Sequence, residues 1–368
     1  MHITFSTNYT LILAVLVLLL GKFLVSRIRF LRDFNIPEPV AGGLLIAAVI
    51  YILHATMGWS FGFESSLQTA FMLAFFASIG LSANFAKLRQ GGIGLVIFLC
   101  VIVVFILVQN AVGIGLAKAL GLDPLVGLVA GSITLVGGHG TAGAWGSVLE
   151  QQHGLTGATT LGMACATFGL VIGGIMGGPL AKRLITQHKL AKPRSEADQL
   201  GSTPAAGHEQ NDFVNLESPS KTPRLITADA AIETLALFAA CLAFGEFMTH
   251  VTKGTAIQLP TFVWCLGGGV IIRNVLDYIF GFKVFDRAID VFGNVSLSIY
   301  LAIALLSLKL WELADLAGPL VIILAVQTLV LLLYVGFVTF RVMGKDYDAA
   351  VLCAGNCGFG MGATPTAV

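Results

Sequence analysis

Apolar runs of about 20 residues recur along the chain, separated by short polar stretches. Each run has the length that an α-helix needs to cross a bilayer core of about 30 Å. The predicted membrane spans occupy residues 8–27, 39–57, 67–86, 93–118, 157–181, 228–250, 260–280, 289–308 and 316–340. The pattern therefore predicts an all-α polytopic membrane protein.

Two further segments, 124–148 and 347–368, are apolar but interrupted by glycines. A glycine in a helix interior costs about 1 kcal/mol relative to alanine, so neither segment is predicted to form one straight helix. We expect each to form a re-entrant hairpin, made of a helix, an unwound tip and a second short helix. Such irregular backbone is tolerated at membrane depth only where protein or a wet cavity shields it.

Residues 187–223 differ from the rest of the chain. They are rich in Lys, Pro, Ser, Glu, Asp, Gln and Asn and nearly devoid of large apolar residues. Because this composition cannot bury a core, we predict a flexible linker. The linker separates a first unit, residues 1–186, from a second unit, residues 224–368.

The two units resemble each other in sequence, and the matched segments keep a nearly constant separation along the chain. They are IPEPVAGGLLIAAVI at 36–50 with LPTFVWCLGGGVII at 259–272, SIGL at 78–81 with SIYL at 298–301, Gln109 with Gln327, and LVAGS at 128–132 with LCAGN at 352–356. A unit of five spans crosses the membrane an odd number of times, so the second copy is expected to be inverted. The second unit ends inside its hairpin at Val368. We therefore expect one final span beyond the sequence given.

Lysine and arginine predict the orientation, because cytoplasmic loops carry an excess of both. With the N-terminus outside, the outer side receives Lys118, Lys253 and Lys309, and the remaining 18 of the 21 basic residues face the cytoplasm. The linker is then cytoplasmic. The first hairpin enters from outside and the second from the cytoplasm, so that their tips can meet near the midplane of the membrane.

Composition excludes several classes of function. Apolar residues make up 56% of the chain, charged residues 11%, and the mean hydropathy is +0.88, which excludes a soluble globular domain. The chain has no basic cluster interleaved with aromatic residues, so no nucleic-acid partner is expected. An enzyme would need a nucleophile with a base or a metal cluster, and no spacing assembles one. A channel would need a polar ring or lined pore, whereas paired inverted hairpins favour a carrier.

The predicted tips combine glycines with small polar residues. Unwinding frees backbone N–H groups that favour an anion, and carbonyl oxygens that suit a desolvated sodium ion. The predicted substrate-binding residues are Gly137, Gly138, His139, Gly140, Thr141, Gly358, Gly360, Gly362 and Thr364. The predicted sodium-binding residues are Ser132, Thr134, Asn294, Ser296, Ser298, Asn356 and Thr366. For His139, both binding a substrate carboxylate and bracing the hairpin remain open. No cofactor is expected apart from sodium as coupling ion.

Several blocks of the sequence resemble the bacterial sodium/glutamate symporter family. They are IPEPVAGGLL, FMLAFFASIGLSANF, AGSITLVGGHGTAGAW, ACATFGLVIGGIMGGP, GNVSLSIYLAIALLSLKLWELA and CAGNCGFGMGATPTA. The likeness extends from about residue 10 to the end of the sequence and weakens only in the linker. The resemblance implies sodium-driven uptake of L-glutamate by a homodimer in the bacterial inner membrane. It also implies two five-span units with paired hairpins and a binding site at 137–141 and 358–366.

A di- or tricarboxylate such as citrate or malate is the alternative substrate, because the same anion-binding backbone could serve it. Neither tip contains an arginine, which favours an amino acid over a multiply charged anion.

The orientation can be tested by cysteine labelling in a variant that lacks the native thiols. A cysteine replacing Ser65, in the predicted external loop, should react with an impermeant maleimide added to intact cells. A cysteine replacing Ser195, in the predicted cytoplasmic linker, should react only after the membrane is permeabilised. The reverse pattern of labelling would invert the proposed topology.

Overall fold

The computed structural model describes residues 2–33, 36–190, 227–255, 257–311 and 316–362. Most of the predicted linker, from residue 191 onwards, lies outside the described residues, as do Thr364 and Thr366. The described part of the chain is helical except for one small parallel sheet, in which β1 (His2–Phe5) pairs with β2 (Ser60–Phe63).

The helices fall before and after the predicted linker. The first group consists of α1 (Thr7–Arg27), α2 (Arg29–Asp33), α3 (Glu38–Met57), α4 (Ser66–Ser82), α5 (Phe85–Gln90), α6 (Gly92–Ala119), α7 (Pro124–Leu128), α8 (Gly138–His153) and α9 (Ala158–Gln187). The second group consists of α10 (Ala228–Val251), α11 (Thr261–Tyr278), α12 (Asp286–Leu306), α13 (Ala317–Tyr334), α14 (Phe340–Val342) and α15 (Tyr347–Gly360). A π-helical turn, Val129–Ile133, follows α7, and another, Val335–Thr339, joins α13 to α14.

Seven helices in the described part of the chain are long and apolar enough to cross a membrane: α1, α3, α6, α9, α10, α12 and the continuous run from α13 to α14. This confirms a polytopic membrane protein. Helices α4 and α11 occupy the other two predicted spans but are less typical. The first has only 17 residues, and the second carries Arg273 and Asp277 within its last two turns.

The helices pack into two bundles, each of which combines elements from both sides of the linker. The first bundle contains α1, α3, α4, α10, α11 and α12, with α4 lying against both α11 and α12. The second bundle contains α6 to α9 and α13 to α15, with α9 lying against both α8 and α15. Position along the chain therefore does not decide which bundle a helix joins.

A buried ionic network holds α4, α11 and α12 together at one end of the first bundle. Arg273, whose side chain is 5% exposed, donates to Asp277 at 2.9 Å and to the Leu81 carbonyl at 3.3 Å, and it also pairs with Asp286. Asn84 donates to the same Asp277 carboxylate at 2.8 Å. A buried charge is tolerated when it is paired and hydrogen-bonded, as this guanidinium is.

Arg273→Met should destabilise the protein strongly, because it leaves Asp277 in a largely buried position without its cationic partner. We expect a loss of about 3 kcal/mol in the free energy of unfolding, measured by SDS titration of purified protein. Arg341→Met is the matched control, since the Arg341 guanidinium is exposed and lies 5.7 Å from the centre of the Phe337 ring. Equal losses in the two variants would contradict a stabilising role for the network.

Candidate functional site

The first glycine-rich segment is broken twice, and each break lies at a glycine. The segment starts at Asp123, whose carboxylate accepts from the Leu125 N–H at 2.8 Å and so caps α7. Within the π-helical turn, Gly131 has non-helical backbone angles (φ −110°, ψ −133°). The helix then stops, and α8 begins anew at Gly138, whose φ of +70° favours glycine.

The second glycine-rich segment starts in the same way. The Asp346 carboxylate caps α15 by accepting from the Ala349 N–H at 2.7 Å. The helix continues to Gly360 and then turns at Gly362, which has a φ of +79°. The sequence places Asn356, Gly358 and Gly360 in the unwound tip, but the structure places all three in α15.

Packing explains why these glycines stay helical. A methyl group on Gly360 would lie 2.6 Å from the Leu331 side chain and 3.2 Å from the Phe105 ring, so the helix fits closely between neighbours. Burial against other helices outweighs the roughly 1 kcal/mol per residue that glycine costs a helix. The described unwound backbone of the second segment is therefore confined to Met361 and Gly362.

The two unwound turns touch each other. A methyl group on Gly138 would lie 3.4 Å from the Gly362 carbonyl oxygen. One on Gly362 would lie 3.1 Å from the Thr134 carbonyl, 3.5 Å from the Gly138 Cα and 3.6 Å from the Leu135 carbonyl. Two left-handed glycines from opposite sides of the linker thus meet at the start of α8. This point combines the N-terminal end of a 16-residue helix with nearby carbonyl oxygens.

The side chains of the first tip are largely used to brace it. His139 is 4% exposed, and its Nε2 lies 3.0 Å from the Thr167 hydroxyl of α9. Thr141 donates to the Ile133 carbonyl at 2.7 Å, across the break. A methyl group on Gly137 would collide with Thr141. His139 therefore has the bracing contact that sequence reasoning left open.

Tyr300 of α12 links the first bundle to this tip. Its hydroxyl is buried and donates to the Gly140 carbonyl at 3.0 Å. Phe75 of α4 also faces the tip, since a methyl group on Gly140 would lie 2.7 Å from its ring. Neither residue is among those predicted from sequence, because aromatic side chains in a membrane span look like ordinary packing residues.

The residues predicted to bind sodium are distributed over several helices. Thr134 is fully buried and donates to the Val129 carbonyl at 2.6 Å, and Asn356 donates to the Thr339 hydroxyl at 2.9 Å. The Ser132 N–H bonds to the Asn110 side chain at 3.3 Å. On α12, Asn294 is exposed, Ser296 is buried and Ser298 is half-buried.

A cavity of about 720 Å³ opens between the two bundles, beside the C-terminal half of α8. Its walls come from α4, α8 and the ends of α9, α11 and α12, and uncharged polar side chains such as Gln68, Thr69 and Ser147 line it. Glu150 contributes a carboxylate that accepts from the Thr159 N–H at 2.8 Å. The cavity can admit a small polar solute to the interface between the bundles.

Comparison with known proteins places the chain among transporters. Residues 3–368 match the sodium/glutamate symporter family. The chain is 53% identical over 368 residues to the sodium/glutamate symporter of Haemophilus influenzae, covering 100% of this chain and 88% of that protein. It is also 53% identical over 362 residues to the sodium/glutamate symporter of Escherichia coli K12, covering 98% of this chain and 87% of that protein.

Proposed function

Because this chain belongs to the sodium/glutamate symporter family, we propose that it carries glutamate inward together with sodium by alternating access. It is a transporter and not an enzyme. The observation that carries the proposed mechanism is the contact between Gly138 and Gly362. Two broken helices from opposite halves of the sequence meet there, and both offer backbone groups to a ligand.

We propose two inverted repeats, residues 1–186 with five spans and residues 224–368 with four, each with a re-entrant hairpin. Recurring local features at matched positions support this. Pro37 and Pro260 precede α3 and α11. The capping residues of the two glycine-rich segments, Asp123 and Asp346, have the same separation along the chain as these two prolines. The nine predicted spans then include the shorter α4 and the more polar α11.

The meeting point of the tips supplies complementary chemistry for an amino acid and a cation. Free N–H groups in the first turn of α8 suit a substrate carboxylate, since the helix dipole favours negative charge there. Carbonyl oxygens such as that of Thr134 suit sodium. Glycine allows a ligand to approach the backbone closely. The proposed site is therefore the backbone at 137–141 and at Met361 and Gly362, with side chains mainly shaping it.

We propose that one bundle moves against the other, which stays fixed. The cavity between the bundles supports this, because it is lined by Ser65, Gln258 and Lys309, which the distribution of basic residues places on the outer side. Glutamate would enter through this cavity. In this orientation the N-terminus is external and the linker is cytoplasmic. We propose that the transporter works as a homodimer in the bacterial inner membrane.

Uptake into proteoliposomes tests the function. Purified protein should accumulate radiolabelled L-glutamate when sodium is present outside and absent inside, and should not do so when potassium replaces sodium. Excess unlabelled glutamate should abolish the signal, whereas citrate and malate should compete weakly because neither tip contains an arginine. Strong competition by citrate or malate would favour the alternative substrate, and accumulation without sodium would overturn sodium coupling.

The role of the tips can be tested with two glycines of the same backbone conformation. Gly138→Val should reduce uptake at least tenfold, because the branched side chain fills the space between the tips. Gly154→Val is the matched control, since Gly154 has a φ of +69° and nothing lies within 4 Å of its added Cβ. Both variants bear similar backbone strain of about 1–2 kcal/mol. Similar uptake by the two folded variants would exclude a specific role for the tip.

A further inference from the structure

Two buried glutamines meet between α6 and α13 in the second bundle. Gln109 of α6 and Gln327 of α13 are both fully buried, in otherwise apolar membrane spans. The Gln327 Nε2 donates to the backbone carbonyl of Gln109 at 2.8 Å. The Gln109 Nε2 donates to the carbonyl of Gly360 at 3.3 Å. The amide nitrogens therefore connect α13 to α6, and α6 to the end of α15.

The amide oxygens of the same two residues are unsatisfied. Neither Gln109 Oε1 nor Gln327 Oε1 has a hydrogen-bond partner in the described part of the chain. Leaving a buried polar acceptor unpaired costs about 1–3 kcal/mol. Two such acceptors on facing spans are costly unless something else binds them, and an apolar residue at either position would avoid that cost.

The broken helix at Gly131 adds further polar atoms at this place. A methyl group on Gly131 would lie 3.3 Å from Asn110 Oδ1, 3.7 Å from the Gln109 carbonyl oxygen and 3.7 Å from Gln327 Nε2. Because Gly131 has no side chain, the space beside its Cα is bordered by these three atoms. The non-helical backbone of Gly131 therefore faces the amide cluster.

We propose that Gln109, Asn110 and Gln327 form a sodium site, hereafter the amide site. Its side-chain ligands are the two unpaired Oε1 atoms, and it is completed by Asn110 Oδ1 and the Gln109 carbonyl, which already accept from the Ser132 N–H and from Gln327 Nε2. Neutral carbonyl-type oxygens can replace the hydration shell of a monovalent cation, and no carboxylate is required. The site differs from the predicted set of Ser, Thr and Asn side chains. It rests on the proposed function, which supplies sodium as the coupling ion.

The amide site connects ion binding to the second tip. The Gln109 Nε2 donates to the carbonyl of Gly360, which is the last residue of α15 before the turn at Gly362. A sodium ion that orients the Gln109 amide therefore also positions the turn that contacts Gly138. Ion binding and formation of the glutamate site are thus linked through one side chain.

Sodium binding can be measured apart from transport by thermal unfolding of the purified full chain in detergent. Sodium chloride replaces choline chloride at constant ionic strength, and the midpoint temperature is followed against sodium concentration. Gln109→Met and Gln327→Met keep the side-chain length but remove the amide oxygens. We expect each to raise the half-saturating sodium concentration at least tenfold.

Thr328→Val is the matched control on the same helix. The Thr328 hydroxyl donates to the Leu324 carbonyl at 2.8 Å, within α13, so its loss should leave the sodium dependence unchanged. Gln327→Glu serves where a methionine variant fails to fold. It keeps the Oε1 oxygen, replaces the amide nitrogen by a second oxygen and adds a negative charge, and it should lower the half-saturating sodium concentration at least tenfold.

An unchanged half-saturating sodium concentration in the methionine variants, or in Gln327→Glu, would overturn the amide site. The two glutamine Oε1 atoms would then be bound to water or left unpaired in the packed interior. Uptake into proteoliposomes separates this from failure of the proposed function. If glutamate uptake by the wild-type protein does not depend on the sodium gradient, the proposed function is overturned, and the amide site with it. Sodium-driven uptake with wild-type sodium dependence in the variants would overturn the amide site alone.

Discussion

Backbone groups at membrane depth must find partners within the protein, because the hydrocarbon core contains no water to bind them. A helix that breaks there is stable only where other protein segments shield the break. This chain breaks its first glycine-rich segment before Gly138 and turns its second at Gly362, and the two irregular stretches shield each other. The proposed binding site lies at this point, and the brace on His139 and the contact from Tyr300 to Gly140 are next to it.

Small residues on α9 make this arrangement possible. Gly169, Gly173 and Gly177 form a flat strip on which α15 lies, with hypothetical Cβ atoms 2.5 to 3.1 Å from Met361 or from the Ala354 carbonyl. Larger residues there would hold the second tip away from the first. Close packing of small residues is the usual basis of helix association in membranes, where no hydrophobic effect drives helices together. The small residues of α9 therefore determine how closely the second tip can approach the first.

Local properties of the sequence were sufficient to predict most of the helices and the break in the first glycine-rich segment, but not the helical course of the second as far as Gly360. Hydropathy predicts the spans, because burial in lipid requires a continuous apolar run. Asp123 and Asp346 lie where capping residues are expected, immediately before the two glycine-rich segments. The break before Gly138 coincides with the glycine cluster. These features depend on residues within one or two helical turns, so a single sequence carries them.

What the sequence alone determined is thus the class of protein, its helices and the two segments where a site could form. The tertiary structure decided which residues meet. It kept Gly360 helical by packing it against Leu331, and it gave His139 a partner on α9. It also brought Gln109 against Gln327, 218 residues away. Periodicity describes a helix and its neighbouring turns, whereas contacts between distant spans depend on how all of the helices pack together.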